Sequence, residues 1–300
     1  MNTIQGKYFD TVNSITAECS TALLEAAMKL CEKYEHILNK TISGSDVWNI
    51  NHSRGDRVQI KPETRDILAC SLEFFDKTGG AFNIGMKPLI DVWDIKHRHS
   101  LPADDEIQSA LLKIDISGIQ LENDSVIIPD KNIGIDLGGV AKGYIADCIA
   151  NFLRSNGVDS ALLNFGGNIV CVGNKPDGTP WNIGLQSPFG QTQTDFFAIT
   201  EITDGTVVTS GIYERCFMCK GKIYHHIIDP RTGQPSASGI ISASVIGKNS
   251  MIADTLATSI ILLGWEKGLK LAEEYGYYAV CISENGSIYK SKKVQIKAVV

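Results

Sequence analysis

The chain has 300 residues, of which 43% are hydrophobic and 21% charged, and its formal net charge is −6. This composition is typical of a globular protein that can bury a sizeable core. The acidic balance without a long basic run argues against nucleic acid as the main partner, and no apolar run is long enough to predict a membrane span.

The N-terminal third predicts one strand and two helices. We predict the strand over residues 8–17 and an amphipathic helix from Ser20 to Leu38. Residues 39–60 are polar and predict a loop. The second helix starts near Pro62 and ends before Gly79-Gly80. The chain as given opens without the charged and apolar regions of an export signal, so we expect a cytoplasmic protein, or an exported or membrane-anchored one if a signal segment has been removed.

Gly80 to Asp94 packs Phe82, Met86 and Trp93 between glycines and a proline. This composition predicts neither a regular helix nor a regular strand. Two interpretations are open, a buried structural loop or a wall that stacks on a planar ring. Residues 100–130 then predict a short helix, from Asp104 to Leu112, and a hairpin.

The central stretch, residues 133–147, predicts a strand, a tight turn and the start of a helix. Gly138 and Gly139 lack a Cβ atom, so a ligand can approach the backbone closely there. A helix start presents unpaired N–H groups and the positive end of a dipole, which favour phosphate. Asp136 and Lys142 add charged groups on either side of the turn. An ordinary strand–turn–helix corner is the alternative, since the stretch matches neither a dinucleotide fingerprint nor a P-loop.

The second half of the chain predicts further strands and two helices in an α+β fold. We predict strands at 161–173 (broken by Gly166-Gly167), 181–186, 206–211, 222–229 and 239–246. Helices follow at 250–263 and 265–275, and a final hairpin turns at Asn285-Gly286, a pair typical of type I′ turns. No linker or repeat divides the chain, so we predict a single domain over residues 1–300 with two interleaved lobes.

Three groups of residues could carry chemistry, and each has a plain structural alternative. Asp254 and Thr258 share one helix face and offer the hard oxygen ligands that Mg²⁺ prefers. In the structural alternative, Asp254 caps the helix start and the Thr258 hydroxyl bonds back to a backbone carbonyl. His225 and His226 point to opposite sides of a strand, and one could act as a base. Cys216 and Cys219 form a lone C-x-x-C without the second pair that a zinc ribbon needs, so we expect reduced cysteines.

Six segments in this order resemble the ApbE-type flavin transferase family over most of the chain. They are G-A-F-N-I-G-M-K-P-L-I-D-V-W (80–93), I-D-L-G-G-V-A-K-G-Y-I-A-D (135–147), L-N-F-G-G-N-I (163–169), T-S-G-I-Y-E-R (209–215), H-H-I-I-D-P-R-T-G-Q-P (225–235) and A-D-T-L-A-T-S (253–259). The resemblance implies a two-lobed α+β fold with mixed or antiparallel sheets flanked by helices.

The resemblance also implies an activity and its partners. Such enzymes bind FAD with Mg²⁺, transfer the FMN half to a threonine or serine hydroxyl of an acceptor flavoprotein, and release AMP. The acceptor is typically a subunit of a membrane electron-transport complex or a reductase. Two alternatives remain open, an FAD pyrophosphatase that yields FMN and AMP and a non-catalytic FAD-binding or carrier protein.

Residue roles follow from the positions that match the family's motifs. The resemblance implies that Gly139, Asp254 and Thr258 hold the metal, and that His226 is the general base and Lys142 the second catalytic residue. The residues expected to contact FAD lie in several segments of the chain: Phe9, Ala81, Phe82, Asn83, Asp136, Lys142, Ile228 and Asp229.

The sequence departs from the family's pattern at three places. Phe9-Asp10-Thr11 stands where the family usually has Met-Gly-Thr, Asn83 stands where it often has Asp, and Ile212 stands where Asp often follows Ser-Gly. Phe9 could still stack on the flavin. The two missing carboxylates are expected to alter how the metal or the acceptor is handled.

Overall fold

The computed structural model describes residues 1–190, 192 and 195–299, and its α+β architecture confirms the predicted fold class. The helices of this part of the chain are α1 (Thr21–Leu38), α2 (Asp46–His52), α3 (Pro62–Lys77), α4 (Lys87–Trp93), α5 (Asp104–Leu111), α6 (Ala141–Ser155), α7 (Ser250–Leu263) and α8 (Trp265–Glu274). No helix among these residues is both long and apolar enough to cross a bilayer.

Strands make up the rest of the regular structure. In chain order they are β1 (Asn2–Tyr8), β2 (Thr11–Ala17), β3 (Val58–Gln59), β4 (Gln120–Leu121), β5 (Ser125–Ile127), β6 (Ala161–Phe165), β7 (Asn168–Val172), β8 (Trp181–Gln186), β9 (Phe196–Ile202), β10 (Gly205–Gly211), β11 (Cys216–Cys219), β12 (Lys222–His225), β13 (Ile240–Gly247), β14 (Tyr278–Ser283), β15 (Ile288–Lys290) and β16 (Lys297–Ala298).

An eight-stranded antiparallel sheet in the order β1-β2-β6-β7-β10-β13-β14-β15 is the frame of the molecule. Helix α7 packs on β10 and β13 and also against α6, which packs against α1. The main core fills the space between these helices and the sheet, with Ile15, Ile145 and Leu256 fully buried. The helices that carry the central glycine turn and Asp254 are therefore held rigidly on the same sheet.

Two smaller clusters extend this core. Strands β8, β9 and β16 form a separate three-stranded sheet, whose Trp181 and Leu185 are buried against the large sheet. The β11–β12 hairpin packs Phe217 and Tyr224 over Trp93 at the end of α4, in a stack of nearly parallel rings. The segment from Gly80 to Asp94 thus ends under this hairpin.

Several sequence predictions of local structure were wrong. Residues 8–17 contain the turn of a hairpin as well as β2, and the strand before that turn was missed. The predicted loop at 39–60 contains α2 and β3, and the irregular segment at 80–94 contains α4. Both missed helices have only seven residues, too few to show a clear helical period.

Turns and strand ends supply further corrections. The stretch before the central glycines forms only an isolated parallel bridge between Met86 and Gly134, not a strand. Strand β12 ends at His225, short of Asp229. At the last hairpin Gly286 has φ +82°, but Asn285 has no positive φ, so the predicted type I′ turn is absent there. A three-residue loop closed by a hydrogen bond between Ser283 and Ser287 takes its place. The positive φ pair that such a turn needs occurs instead at Phe9 (55°) and Asp10 (60°).

Candidate active site

The Gly138–Gly139 turn lies directly before α6 and is fixed from its N-terminal side. Asn51 on α2 binds both backbone groups of Ile135, accepting from its N–H at 2.6 Å and donating to its carbonyl at 3.0 Å. The Asp136 N–H donates to Ile84 O at 2.8 Å, and its Oδ1 accepts from the Gly138 N–H at 2.8 Å. The chain therefore enters the turn in one defined position.

Asp254 on α7 lies against the start of α6. Its side chain is 3% exposed, and its Oδ2 accepts a hydrogen bond from the Gly143 N–H at 3.0 Å. The Lys142 Nζ lies 3.6 Å from the same oxygen and 3.4 Å from the Gly138 carbonyl oxygen, to which it donates. Among the described residues no hydrogen bond reaches the second oxygen, Oδ1. A buried carboxylate with one open oxygen beside a cation is thus placed at the glycine turn.

Thr258, one helical turn further along α7, reaches the same turn. A Cβ atom built on Gly139 would lie 3.5 Å from the Thr258 Oγ1 and 3.4 Å from the Phe82 ring. The hydroxyl and the aromatic ring therefore both lie next to the Gly139 backbone. The structure brings together Gly139, Asp254 and Thr258, the three residues expected to hold a metal.

The structural alternative for Asp254 and Thr258 fails on their hydrogen bonds. Helix α7 is capped by Asn249, which accepts from the Ile252 N–H, so Asp254 does not cap it. Thr255 and Ser259 donate back to the carbonyls of Met251 and Thr255, whereas the described residues include no hydrogen-bond partner for the half-buried Thr258 hydroxyl. These oxygens fit a hard cation, and the donor set of a carboxylate, a hydroxyl and a backbone carbonyl is one that Mg²⁺ accepts.

The segment Ala81-Phe82-Asn83 forms one wall of the site, and its residues are buried to different degrees. Ala81 is 1% and Phe82 3% exposed, and the Phe82 N–H is anchored on the Thr78 hydroxyl at 2.9 Å. Asn83 uses both ends of its amide within the fold, donating to Ile114 O at 2.9 Å and accepting from the Gly85 N–H at 2.7 Å. The Phe82 ring next to Gly139 is therefore the part of this wall that faces the turn.

Three other residues expected to contact FAD have contacts of their own within the fold. Phe9 sits in the β1–β2 turn, half-buried against the main core, and its N–H donates to Glu35 at 2.9 Å. Ile228 is buried in the cluster around Trp93. The Asp229 carboxylate accepts two hydrogen bonds of 2.8 and 2.6 Å from the Arg231 guanidinium, two residues further along the same turn.

His225 is the last residue of β12 and His226 follows it in a bend, and the two side chains contact different partners. His225 is buried, its Nε2 lies 3.2 Å from Ser236 O, and its Nδ1 has no partner. His226 is half-buried, and both its N–H and its Nδ1 contact the Arg215 carbonyl oxygen at 3.1 Å. Because a carbonyl can only accept, Nδ1 carries the proton and the Nε2 lone pair is free.

Loss of hydration and nearby positive charge keep His226 neutral. Burial lowers the pKa of His226 to about 4, and the charges of Arg215 and Lys142 act in the same direction. Lys142 is therefore close enough to influence this imidazole electrostatically. The geometry and the charge state together make His226 an imidazole that can accept a proton at neutral pH.

Sequence reasoning missed two charged neighbours of this site. Lys40, in the loop after α1, pairs with Asp136 at 2.7 Å between Nζ and Oδ2. Glu214 lies close to Lys142 and Asp254. Loss of hydration raises its pKa, and Lys142 and Arg215 oppose that shift. Glu214 lies in the T-S-G-I-Y-E-R segment that resembles the family, and this position could have identified it as a site residue. Nothing near Lys40 in the sequence indicates that it pairs with Asp136.

The two thiols of the C-x-x-C pair do not share a face of their strand. Cys216 and Cys219 lie on β11, where an offset of three residues places them on opposite faces, and all eight cysteines are free thiols. Within the described part of the chain, no three His, Cys, Asp or Glu side chains group as a metal cluster. The expected set at Gly139 contains a single carboxylate and is a different kind of site.

Comparison with known proteins places these features in a family context. A model described as the ApbE family matches residues 9–282. A protein of Klebsiella pneumoniae (strain 342) named FAD:protein FMN transferase is 34% identical over 281 residues, which cover 92% of this chain and 87% of that protein. A protein of Treponema pallidum (strain Nichols) with the same name is 33% identical over 271 residues, covering 85% and 75%.

Solved structures give the same result for the fold. The ApbE protein of Thermotoga maritima superposes with a TM-score of 0.88 at 26% identity, over 97% of each chain. The apo form of the flavinyl transferase ApbE from Pseudomonas stutzeri superposes with a TM-score of 0.85 at 26% identity, over 97% of this chain and 94% of that one.

Proposed function

We propose a specific reaction for this chain, which belongs to the ApbE family and is a flavin transferase. The protein transfers the FMN half of FAD to a threonine or serine hydroxyl of an acceptor flavoprotein and releases AMP. We further propose that the reaction depends on Mg²⁺, and that the acceptor is a subunit of a membrane electron-transport complex or a reductase. Relatives named FAD:protein FMN transferase support the overall reaction.

One observation carries the metal part of the proposal. The Thr258 hydroxyl and one oxygen of Asp254 have no protein partner among the described residues, and both are on the α7 face next to Gly139. We assign the Gly139 carbonyl and the Asp254 and Thr258 side chains as the Mg²⁺ ligands. When bound, the ion would offset negative charge on phosphate oxygens and on the leaving group.

Lys142 and the start of α6 supply the rest of the phosphate site. Val140, the residue before α6, offers no capping side chain, and in the first turn the Gly143 N–H is bound by Asp254. The positive end of the helix dipole therefore acts on Asp254 and would also act on an anion bound beside it. Lys142, on the first turn, adds a full positive charge that would bind the pyrophosphate and stabilise charge as the bond breaks. We place the flavin and the rest of FAD along Phe82, Ala81, Asn83 and Asp136, with Phe9, Ile228 and Asp229 at the outer parts of the cleft.

His226 is the proposed general base. Its free Nε2 would take the proton from the acceptor hydroxyl as that oxygen attacks the phosphorus of the FMN half. A new phosphorus–oxygen bond forms to the acceptor, and the bond to the bridging oxygen breaks. The electron pair of that bond leaves with AMP. Because His226 is neutral at pH 7, no prior deprotonation is needed.

Mass spectrometry on the acceptor tests this function directly. The purified protein is incubated with FAD, Mg²⁺ and an acceptor domain carrying a Ser/Thr-Gly-Ala-Thr-like segment, with an EDTA control and a parallel AMP assay. We expect the acceptor to gain one FMN, with one AMP released, only in the presence of metal. AMP and free FMN with an unmodified acceptor would make the protein a pyrophosphatase, and FAD bound intact would make it a carrier.

A further inference from the structure

Lys40 and Asp136 form an ion pair at the edge of the candidate site. The Nζ–Oδ2 distance is 2.7 Å, and the two side chains are only 27% and 19% exposed. Among the ion pairs of the described residues, Lys40 and Lys142 are the two cations with the least exposed side chains, 27% and 25%. Both are associated with the Gly138–Gly139 turn, Lys142 directly and Lys40 through Asp136.

The loop that carries Lys40 is itself well fixed. Helix α1 ends at Leu38, and the Ser45 hydroxyl donates to the carbonyl of Asn39 at 2.7 Å. The Asn39 side chain accepts from the N–H and the hydroxyl of Thr41 at 2.9 and 2.8 Å. Lys40 thus stands between two residues held by hydrogen bonds, and its side chain extends from a fixed base.

Asp136 connects this lysine to the glycine turn. One carboxylate oxygen binds Lys40, and the other accepts the Gly138 N–H at 2.8 Å. Glycine adopts a wide range of backbone conformations, so a Gly-Gly turn depends on such tethers to stay in one shape. If Lys40 were removed, the carboxylate could rotate and would hold the Gly138 N–H for only part of the time.

We propose that Lys40 is a positioning residue, which acts through Asp136 to hold the Gly138–Gly139 turn in the shape that binds FAD together with Mg²⁺. This inference rests on the proposed flavin transfer. It assigns to a residue outside every segment that resembles the family a role in preparing the site. Partners of this kind, one step removed from the ligand, typically contribute about 10- to 100-fold to metal affinity or activity.

The test compares four variants with the wild-type protein. Lys40→Met removes the positive charge and Lys40→Arg keeps it. Asp136→Asn removes the negative charge of the ion pair, and the fourth variant combines Lys40→Met with Asp136→Asn. Lys33→Met is the matched control, because it breaks a 3.1 Å ion pair with Glu63 away from the glycine turn. FAD affinity with Mg²⁺ is measured by calorimetry, the Gly138 amide by hydrogen exchange without ligand, and folding by thermal melting.

For Lys40→Met we expect FAD to bind about tenfold more weakly and the Gly138 amide to exchange faster. Lys40→Arg should recover most of the affinity, and Lys33→Met should match the wild type. Because Lys40 acts through Asp136, the double variant should bind FAD no more weakly than Asp136→Asn alone.

Three results would overturn the proposal. Wild-type affinity and exchange in Lys40→Met would show that the ion pair positions nothing. Fully additive losses in the double variant would mean that Lys40 contacts FAD itself, and equal losses in both Lys40 variants with a lower melting temperature would leave only a role in folding. A wild-type protein that does not bind FAD with Mg²⁺ would instead refute the proposed function, and the inference with it.

Discussion

Asp147 on α6 and Asp254 on α7 bind each other's helix. The Asp147 carboxylate accepts from the N–H groups of Ser250 and Met251 at 2.9 and 3.0 Å, at the start of α7. Asp254 in return accepts from the Gly143 N–H at 3.0 Å, in the first turn of α6. The relative position of the two helices, and with it the distance between Lys142 and Asp254, is fixed by this exchange.

Gly143→Ala should loosen this helix pair. The new Cβ atom would lie 2.2 Å from the Ser250 carbonyl oxygen, a backbone atom that can only move with its helix. We expect the free energy of unfolding to fall by about 1–3 kcal/mol, as in overpacked cores, and FAD to bind more weakly. Urea denaturation measures the first effect. Gly118→Ala is the control, since its Cβ would meet nothing within 4 Å, and an equal loss there would contradict the explanation.

Thr258→Val should raise the Mg²⁺ requirement. The change removes the free hydroxyl beside Gly139 with little change in shape, so we expect the Mg²⁺ concentration for half-maximal transfer to rise about tenfold or more. Thr255→Val is the matched control on the same helix, since its hydroxyl bonds back to Met251 O and interacts with the Cys70 thiol, and should cost about 1 kcal/mol of stability with no metal effect. A magnesium titration with unchanged midpoint in Thr258→Val would remove Thr258 from the ligand set.

His226→Ala should slow transfer while leaving FAD binding close to normal. A lost general base typically costs about 10²- to 10⁴-fold in rate. We expect that range in single-turnover transfer to the acceptor, with FAD affinity by calorimetry within about threefold of the wild type because the proposed role is in the chemical step. A variant that keeps the full transfer rate would show that another group accepts the proton.

Asn83→Asp, which introduces the carboxylate that the family resemblance leads us to expect here, should destabilise this protein. The Asn83 amide nitrogen donates to Ile114 O, and a carboxylate oxygen there would face a carbonyl without a proton between them. We expect a loss of about 1–3 kcal/mol in the free energy of unfolding at pH 7. The exposed Asn123→Asp serves as the control. A gain in transfer rate without loss of stability would mean that the site lacks this carboxylate.

Stability should fall between pH 6.5 and pH 4. Burial lowers the pKa of His225 to about 4, while the unfolded chain has a histidine pKa of about 6.5. The unfolded state therefore binds more protons in this window, so the contribution is complete above pH 6.5 and is lost as the pH falls towards 4. Asp147, whose pKa burial raises to about 6, acts in the opposite direction and reduces the net effect.

Melting temperatures at pH 7 and pH 5 test this prediction. The wild type should melt at a lower temperature at pH 5, and His225→Gln, which cannot titrate, should show a smaller difference between the two pH values. The same pH dependence in His225→Gln would assign the effect to other groups.

The sequence predicted the long helices well because their apolar periods are clear. Turn types were harder to predict from the sequence. We expected a type I′ turn at Asn285-Gly286, but the two consecutive positive φ angles of such a turn are found at Phe9-Asp10. At Phe9-Asp10 the strand register decides the turn, although neither residue is a glycine. The register pairs Tyr8 with Thr11 and so leaves only two residues for the turn. Register depends on the whole sheet and is not visible in a short window.

For the candidate site, the motifs predicted the residues, and the structure shows which of their polar atoms already have protein partners. Local sequence alone left two interpretations of Asp254 and Thr258 open, metal ligands or a helix cap with a back-bonded threonine. Their hydrogen bonds, compared with those of Asn249 and Thr255, exclude the second. The Lys40–Asp136 pair was not predictable, because its members are far apart in sequence and meet only after α1 and the central turn pack on the same core.

Gly143 and Asp254 are 111 residues apart in sequence, and this separation bears on how the protein is made. A ribosome releases the Phe82 wall and the glycine turn well before α7, so a nascent chain at that stage lacks two of the proposed metal ligands. The same holds for a chain broken between α6 and α7. In the cell, metal-dependent flavin transfer would therefore begin only after synthesis has passed Thr258, and incomplete chains would modify no acceptor.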